Sequence, residues 1–314
     1  FNTNTPYTVL KYTTSTRARD KQTIDALHTQ NVNPALNFAV NIGGHKSEGA
    51  YNRQNSSKSY YRTTVNYLKK HYVLHAAFSH TRLDNMENGG MTLDLSDPED
   101  PLLTPNLNSA NTSHFMQSAI LAQTYKIGNR SNIPDTINQG IRDSWLDISH
   151  KFTMNRQAYL YKEKEASVDE YYQTLYYDTT ATFDSTYHGS FKNNLQLRFS
   201  EDWNSFFPLG ILIGIEHEYE KFYNFRDPLE TKAEYPYNNL KVQAKAFNRV
   251  SKRYGWSGEA SYYLSGYHEN DWMLKGRINL QLLENTFPLH LEAKAVFKEF
   301  TPAFFKKRYY SNHV

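Results

Sequence analysis

The sequence predicts an all-β fold in which antiparallel strands run up and down and close into one transmembrane barrel. Three observations carry this reading. Apolar and polar residues alternate with period two in segment after segment. Short turns and long polar loops take turns along the chain, with 128–143 alone breaking the trend because it falls on the short-turn side. Aromatic residues gather near the segment ends.

The clearest unit is residues 272–300. Leu274, Gly276, Ile278, Leu280 and Leu282 share one face, with Lys275, Arg277, Asn279 and Gln281 opposite. After a turn at 284–287, Leu289, Leu291, Ala293, Ala295 and Phe297 return against His290, Glu292, Lys294 and Lys298. Such a hairpin has one greasy and one wet face.

Earlier segments repeat the pattern. Residues 7–14 are a first strand, followed by a charged turn at 16–21. Strands at 23–28 and 34–42 flank a turn at 29–33, and 43–57 is a long polar loop. Tyr61, Thr63, Val65 and Tyr67 oppose Arg62, Thr64 and Asn66; a turn at 69–71 leads to Leu74, Ala76 and Phe78 opposite His75 and Ser79. Residues 83–111 form a long loop. The strand at 114–125 alternates poorly, 128–143 is a loop, and 145–161 is a long strand whose register the pattern leaves open. A Tyr-rich excursion spans 163–187. Leu195, Leu197 and Phe199 then oppose Gln196 and Arg198, with a turn at 201–205. Leu209, Ile211, Ile213 and Ile215 oppose Leu212, Gly214, Glu216 and Glu218. Beyond a loop at 224–238, Leu240, Val242, Ala244 and Ala246 oppose Lys241, Gln243 and Lys245. A turn at 251–253 precedes Trp256, Ala260, Tyr262 and Leu264 opposite Ser257, Glu259 and Ser261. The tally is about 14 strands, many meeting the roughly 9 to 11 tilted residues that cross a bilayer. A further strand is expected near Phe304. Residues 1–314 therefore read as a single barrel domain.

Composition supports a wet interior. Only 39% of the 314 residues are AVILMFWYC, yet 15% are aromatic, with 25 Tyr against 4 Trp. That balance suits side chains half in water and half in hydrocarbon. A net charge of +3 gives no nucleic-acid footprint. With no Cys, disulfides and thiolate chemistry are excluded. No apolar run approaches the roughly 18 residues of a membrane helix, so a spanning structure has to be a barrel. The chain opens at Phe1 without a leader and is expected to be a mature or trimmed product.

Energetics orient the faces. A Lys or Arg facing lipid at mid-bilayer costs about 2 to 4 kcal/mol. Several together would exceed the roughly 5 to 15 kcal/mol of a domain's net stability. The charged face must therefore line a lumen, where Arg62, His75, Arg198, Lys241, Lys245, Lys275, Arg277, Lys294 and Lys298 outweigh Glu216, Glu218, Glu259 and Glu292. Water in such a lumen would give a weak anion preference. Tyr61, Tyr72, Tyr125, Trp145, Tyr219, Tyr223, Tyr254, Trp256, Tyr267 and Trp272 are the expected interfacial girdles, although Tyr is also simply a good strand former.

Four stretches resemble one family, the putative porins of Bacteroidota outer membranes. They are Pro6-Tyr7-Thr8-Val9-Leu10-Lys11-Tyr12, His28-Thr29-Gln30-Asn31-Val32-Asn33-Pro34, Glu87-Asn88-Gly89-Gly90-Met91 and Arg308-Tyr309-Tyr310-Ser311-Asn312-His313. The resemblance implies an outer-membrane β-barrel longer than this stretch, of which residues 1–314 are expected to be part, a cleaved signal peptide, and contact with outer-membrane lipid, lipopolysaccharide and other outer-membrane proteins. In physical terms Asn31 and Asn33 are turn chemistry, Pro34 suits the first residue of a strand, and Gly89 and Gly90 supply positive φ.

Little else carries chemistry. Asp94, Asp97, Glu99 and Asp100 lack Ca²⁺-loop spacing and read as a solvated loop. His71 and His75 lie about 13 Å apart along a strand, too far for one metal. No nucleophile triad or phosphate-cradling loop appears, so no catalytic residue, cofactor or metal is assigned and the chain is read as a non-enzyme. The leading expectation is a porin passing small polar solutes through a mixed-charge, slightly basic lumen. The alternatives are a non-conducting accessory barrel of a larger outer-membrane complex for secretion, nutrient uptake or barrel assembly, and an enzyme with a rim site.

Overall fold

A computed structural model describes residues 5–15, 21–94, 102–128, 144–164, 171–172, 174–176, 178–201, 209–224, 234–248, 254–282, 289–308 and 311. Its strands are β1 (Tyr7–Thr14), β2 (Lys21–Asn33), β3 (Leu36–Ser47), β4 (Ser56–Lys69), β5 (Tyr72–Met86), β6 (Met91–Asp94), β7 (Leu102–Pro105), β8 (Asn111–Ile127), β9 (Leu146–Glu163), β10 (Thr182–Phe199), β11 (Gly210–Asn224), β12 (Glu234–Asn248), β13 (Tyr254–Ser265), β14 (Trp272–Leu282) and β15 (Leu289–Glu299). Thirteen of them form one antiparallel sheet in chain order, while β6 and β7 pair separately as a small hairpin between β5 and β8. Every neighbour in the large sheet follows its predecessor up or down, as predicted. Among the described residues β1 and β15 do not pair with each other, so the sheet is not closed.

The sheet curls. Residues from β4 through β14 border one common cavity of about 870 Å³, among them Leu68, His75, Lys126, Arg198, Lys245 and Arg277. Most of its lining comes from the face holding the charged residues. Burial is inverted relative to a water-soluble core. Among the described residues sixteen buried side chains are polar or charged and five are apolar. Meanwhile Ile213, Ile215, Leu274, Ile278, Leu291 and Phe297 lie exposed on the opposite face.

Several boundaries differ from expectation. β2 runs to Asn33, and only Pro34 and Ala35 turn the chain. Asn33 Oδ1 accepts from the N–H of Ala35 (2.8 Å) and Leu36 (2.9 Å), so Pro34 belongs to the turn and does not open the strand. Asn31 keeps ordinary backbone; among described non-glycine residues positive φ falls at Arg53 and Asn270, whereas Gly89 and Gly90 have it as expected. The loops expected at 43–57, 163–187 and 224–238 are shorter, because β3, β4, β10 and β12 extend into them. Polar residues such as Thr, Ser, His and Asn continue those strands once water lines one face, which blunts the apolar signal. Near Phe304 the chain forms a short helix, Phe304–Lys307, in place of the expected strand. The expected turns at 202–205, 251–253 and 284–287, most of 128–143, the tip of the charged turn at 16–20, Asp97, Glu99, Asp100 and most of the last motif lie outside the described residues.

Tight cross-strand packing shapes the inner wall. Tyr60 lies across Gly43, its partner on β3, and its hydroxyl reaches the Asp25 carboxylate on β2. A Cβ at Gly43 would meet the Tyr60 ring at 2.4 Å, so only glycine permits this approach. Asn41 Nδ2 donates to the same carboxylate at 3.2 Å. Gly43→Val is expected to expel the Tyr60 ring and destabilise the barrel by about 1 to 3 kcal/mol, read as a lowered urea midpoint in lipid vesicles.

Candidate functional site: the inward face of the sheet

Strand pairing carries each side chain to one face, since directly paired residues point the same way. From β4 to β15 the register places Arg62, His75, Arg198, Glu216, Glu218, Lys241, Lys245, Glu259, Lys275, Arg277, Glu292, Lys294 and Lys298 together on the inward face. All thirteen therefore share one surface, although they spread along its whole height.

The strongest electrostatic knot lies on β11. Glu216, Glu218 and Glu220 alternate along the strand, pointing inward and nearly buried. Lys241 approaches Glu216 at 2.7 Å from β12, and Lys192 approaches Glu218 at 3.1 Å and Glu216 at 3.6 Å from β10. Asn194 donates to Glu216 (2.8 Å), and Asn239 donates to Glu220 (2.7 Å). His188 stands 3.3 Å from Glu220. Buried carboxylates need such partners, because leaving one unpaired costs several kcal/mol, about 3 to 5. Sequence reading found Glu216, Glu218 and Lys241 but missed Glu220, Lys192, Asn194 and His188. The signal was present: the spacing Lys192, Asn194, Gln196, Arg198 continues the alternation upstream of the point where apolar residues first mark it.

Nearer β15, Arg277 and Lys294 share Glu292 at 2.7 and 2.8 Å. Arg198 sits over the Phe247 ring at 5.3 Å, and Phe247 in turn covers Gly210. Asp147 is the carboxylate beside Arg198, at 3.8 Å.

At the end where the long connections lie, the chain after β15 folds inward. Asp271 Oδ1 accepts from Thr301 N–H (2.8 Å) and Oγ1 (2.9 Å), and Tyr267 donates to the Pro302 carbonyl (2.7 Å). Phe304, 2% exposed, stacks on Phe222 with ring centroids 4.5 Å apart. Asn224 donates to the Arg308 carbonyl (3.0 Å), and Ser311 donates to Asp184 (2.6 Å). Residues 301–308 thus form a strap along the inner wall from β14 to β11. Tyr267 belongs to this inner cluster, 5.0 Å from Tyr237, so it is not on the outer girdle. The local reason is the tight turn 266–271, which opens with Gly266 at positive φ and throws Tyr267 inward.

On the outer face, Tyr72, Tyr125, Tyr254 and Trp256 lie at one end of the apolar band; Trp145, just ahead of β9, lies across Gly128 with the parity of the inward-facing Asp147, so it does not join that girdle. Tyr61, Tyr219, Tyr223 and Trp272 lie toward the other end. Trp272 donates to Glu299 at 3.0 Å, keeping its polar edge satisfied.

Wet inside, greasy outside and aromatic at both ends, the molecule is an outer-membrane type of β-barrel. The chain belongs to the family described as "Putative porin", whose model matches residues 1–314. Among solved structures it resembles the siderophore receptor PirA from Acinetobacter baumannii, at 10% identity with a TM-score of 0.58. That match covers 90% of this chain and 42% of the receptor, so the chain spans about two-fifths of its length. No curated protein matches the sequence.

Truncating the strap's anchor by Phe304→Ala should release residues 301–308 from the wall, since losing a buried Phe ring costs about 3 to 5 kcal/mol. Hydrogen exchange at the Thr301 and Arg308 amides should accelerate while β11 and β12 stay protected.

Proposed function

We propose that this chain forms part of the wall of an outer-membrane pore through which small polar solutes diffuse passively. The observation that carries the reading is the inverted burial: the face bordering the cavity holds the paired charges, and the opposite face is apolar. Backbone groups left unpaired at the outer edges of β1 and β15 would be untenable in hydrocarbon, so each edge needs a further strand as partner. The long connections face the outside and the short turns the periplasm, as outer-membrane barrels are built. On this reading lipid and lipopolysaccharide cover the apolar band, and a signal peptide directs export. The chain takes no catalytic role.

One observation favours the second reading, a non-conducting accessory barrel in a larger outer-membrane complex. The strap at 301–308 occupies part of the mouth. Conductance of the purified protein in planar bilayers decides between them, with co-purifying stoichiometric partners expected only for the accessory barrel.

Two predictions follow from the assignment of the faces. Ile213→Lys puts an ammonium on the lipid side and should cost about 2 to 4 kcal/mol in vesicle refolding, whereas Leu212→Lys, one residue away but facing the lumen, should cost far less. Equal costs would refute the orientation. Reversing two lumenal charges with Lys275→Glu and Arg277→Glu should move the reversal potential toward cation preference. Unchanged potentials in a conducting protein would remove these residues from the pore wall.

A further inference from the structure

The inward face carries two kinds of cation. Lys192 and Lys241 are committed to the carboxylates of β11 at 2.7 to 3.6 Å. Nearer the short-turn end the pairing differs. There one row of directly opposed residues runs Lys126, Asp147, Arg198, Leu212, Lys245, Glu259, Lys275 across consecutive strands from β8 to β14. A cation stands on every second strand, roughly 9.5 Å apart given strand spacings of about 4.7 to 4.9 Å. Lys126, Lys245 and Lys275 make no ion pair among the described residues, and Arg198 meets its carboxylate only at 3.8 Å.

Within this row, Arg198 and Lys245 are the neighbouring cations with no carboxylate between them, because Leu212 fills the intervening position. The adjacent row repeats the arrangement with amides: Gln196 and Gln243 flank Gly214. Gly214 leaves a hollow over which Gln243 folds, since a Cβ there would meet its Nε2 at 2.8 Å. Phe247 holds the Arg198 guanidinium from one side. Both cations and Gln196 border the cavity of about 870 Å³.

We propose that Arg198 and Lys245, with Gln196 and Gln243, form a binding site for a small multivalent oxyanion, a phosphate or polycarboxylate, on the wall of the passage. Two cations and two amide donors at neighbouring positions of one wall match the several acceptor oxygens of such a group, and rings of Lys and Arg are how pores select anions. The site rests on the pore reading and gives it a solute class.

Inorganic phosphate titrated into the full-length protein in detergent, followed by calorimetry, tests the site without requiring conduction. Saturable binding is expected, weakened roughly tenfold or more in the double variant Arg198→Gln/Lys245→Gln, as loss of charge-assisted hydrogen bonds dictates. Lys245→Arg should retain it, and so should Lys58→Gln, which removes a lumenal charge far from the row. Heat-shifted gel mobility verifies that each variant folds. Wild-type affinity in the double variant, or an equal loss in Lys58→Gln, would overturn the site in favour of a diffuse field. Phosphate binding by a protein that passes no current would refute the pore and leave the site standing. Current without saturable binding would refute the site alone.

Discussion

Hydrocarbon offers no hydrogen bonds, and that single constraint organises the molecule. Each backbone N–H and C=O crossing the apolar layer has to find its partner within the protein, and continuous antiparallel pairing from β1 to β15 supplies those partners strand by strand. Once the backbone is committed to strands, side chains have only two directions. Apolar ones point to lipid and the remainder to water, which is why buried positions here are mostly polar. A soluble sandwich with the same alternation would pack its Leu and Ile residues against a second layer. No second layer covers Ile213, Leu274 or Phe297 among the described residues.

The inner wall solves a different problem, that of holding charge at close quarters. Three carboxylates two residues apart on β11 would repel one another if left alone. Neighbouring strands answer in register: Lys192 and Asn194 from one side, Lys241 and Asn239 from the other. Shape is set by a second device, in which an aromatic ring lies across a glycine on the paired strand. Tyr60 over Gly43 and Phe247 over Gly210 both use it, and each aims a polar group: the Tyr60 hydroxyl at Asp25, and the Arg198 guanidinium stacked on Phe247.

Much of this was legible in the sequence, and unevenly so. Alternation assigned the faces of β4, β5 and β11 to β15 because apolar and aromatic residues dominate one side there. It failed along β8, β9 and the first half of β10. On those strands the outward side carries Gln123, His150 and Asn193, which bond to one another laterally (3.2 and 3.3 Å), so polarity no longer tells inside from outside. Pairwise contacts were the other blind spot. That Lys192 serves Glu218 depends on register between strands, which period-two reading does not fix. The inward path of 301–308 depends on a dry patch made by Phe222, Tyr235, Tyr237 and Tyr267, residues from three separate segments.

That dry patch accounts for where the strap goes. An apolar ring at the wet mouth gains by leaving water, and Phe222 and Tyr235 give Phe304 a place to do so. The polar frame then fixes the path: Asp271 holds its start, Asn224 its end. The strap and the row of Arg198 and Lys245 consequently sit apart. The strap belongs to the end with the long connections, whereas Arg198, flanked by Asp147 and Phe247, and Lys245 lie toward the short turns. The narrowing at the mouth and the charge of the inner wall are therefore set by different strands.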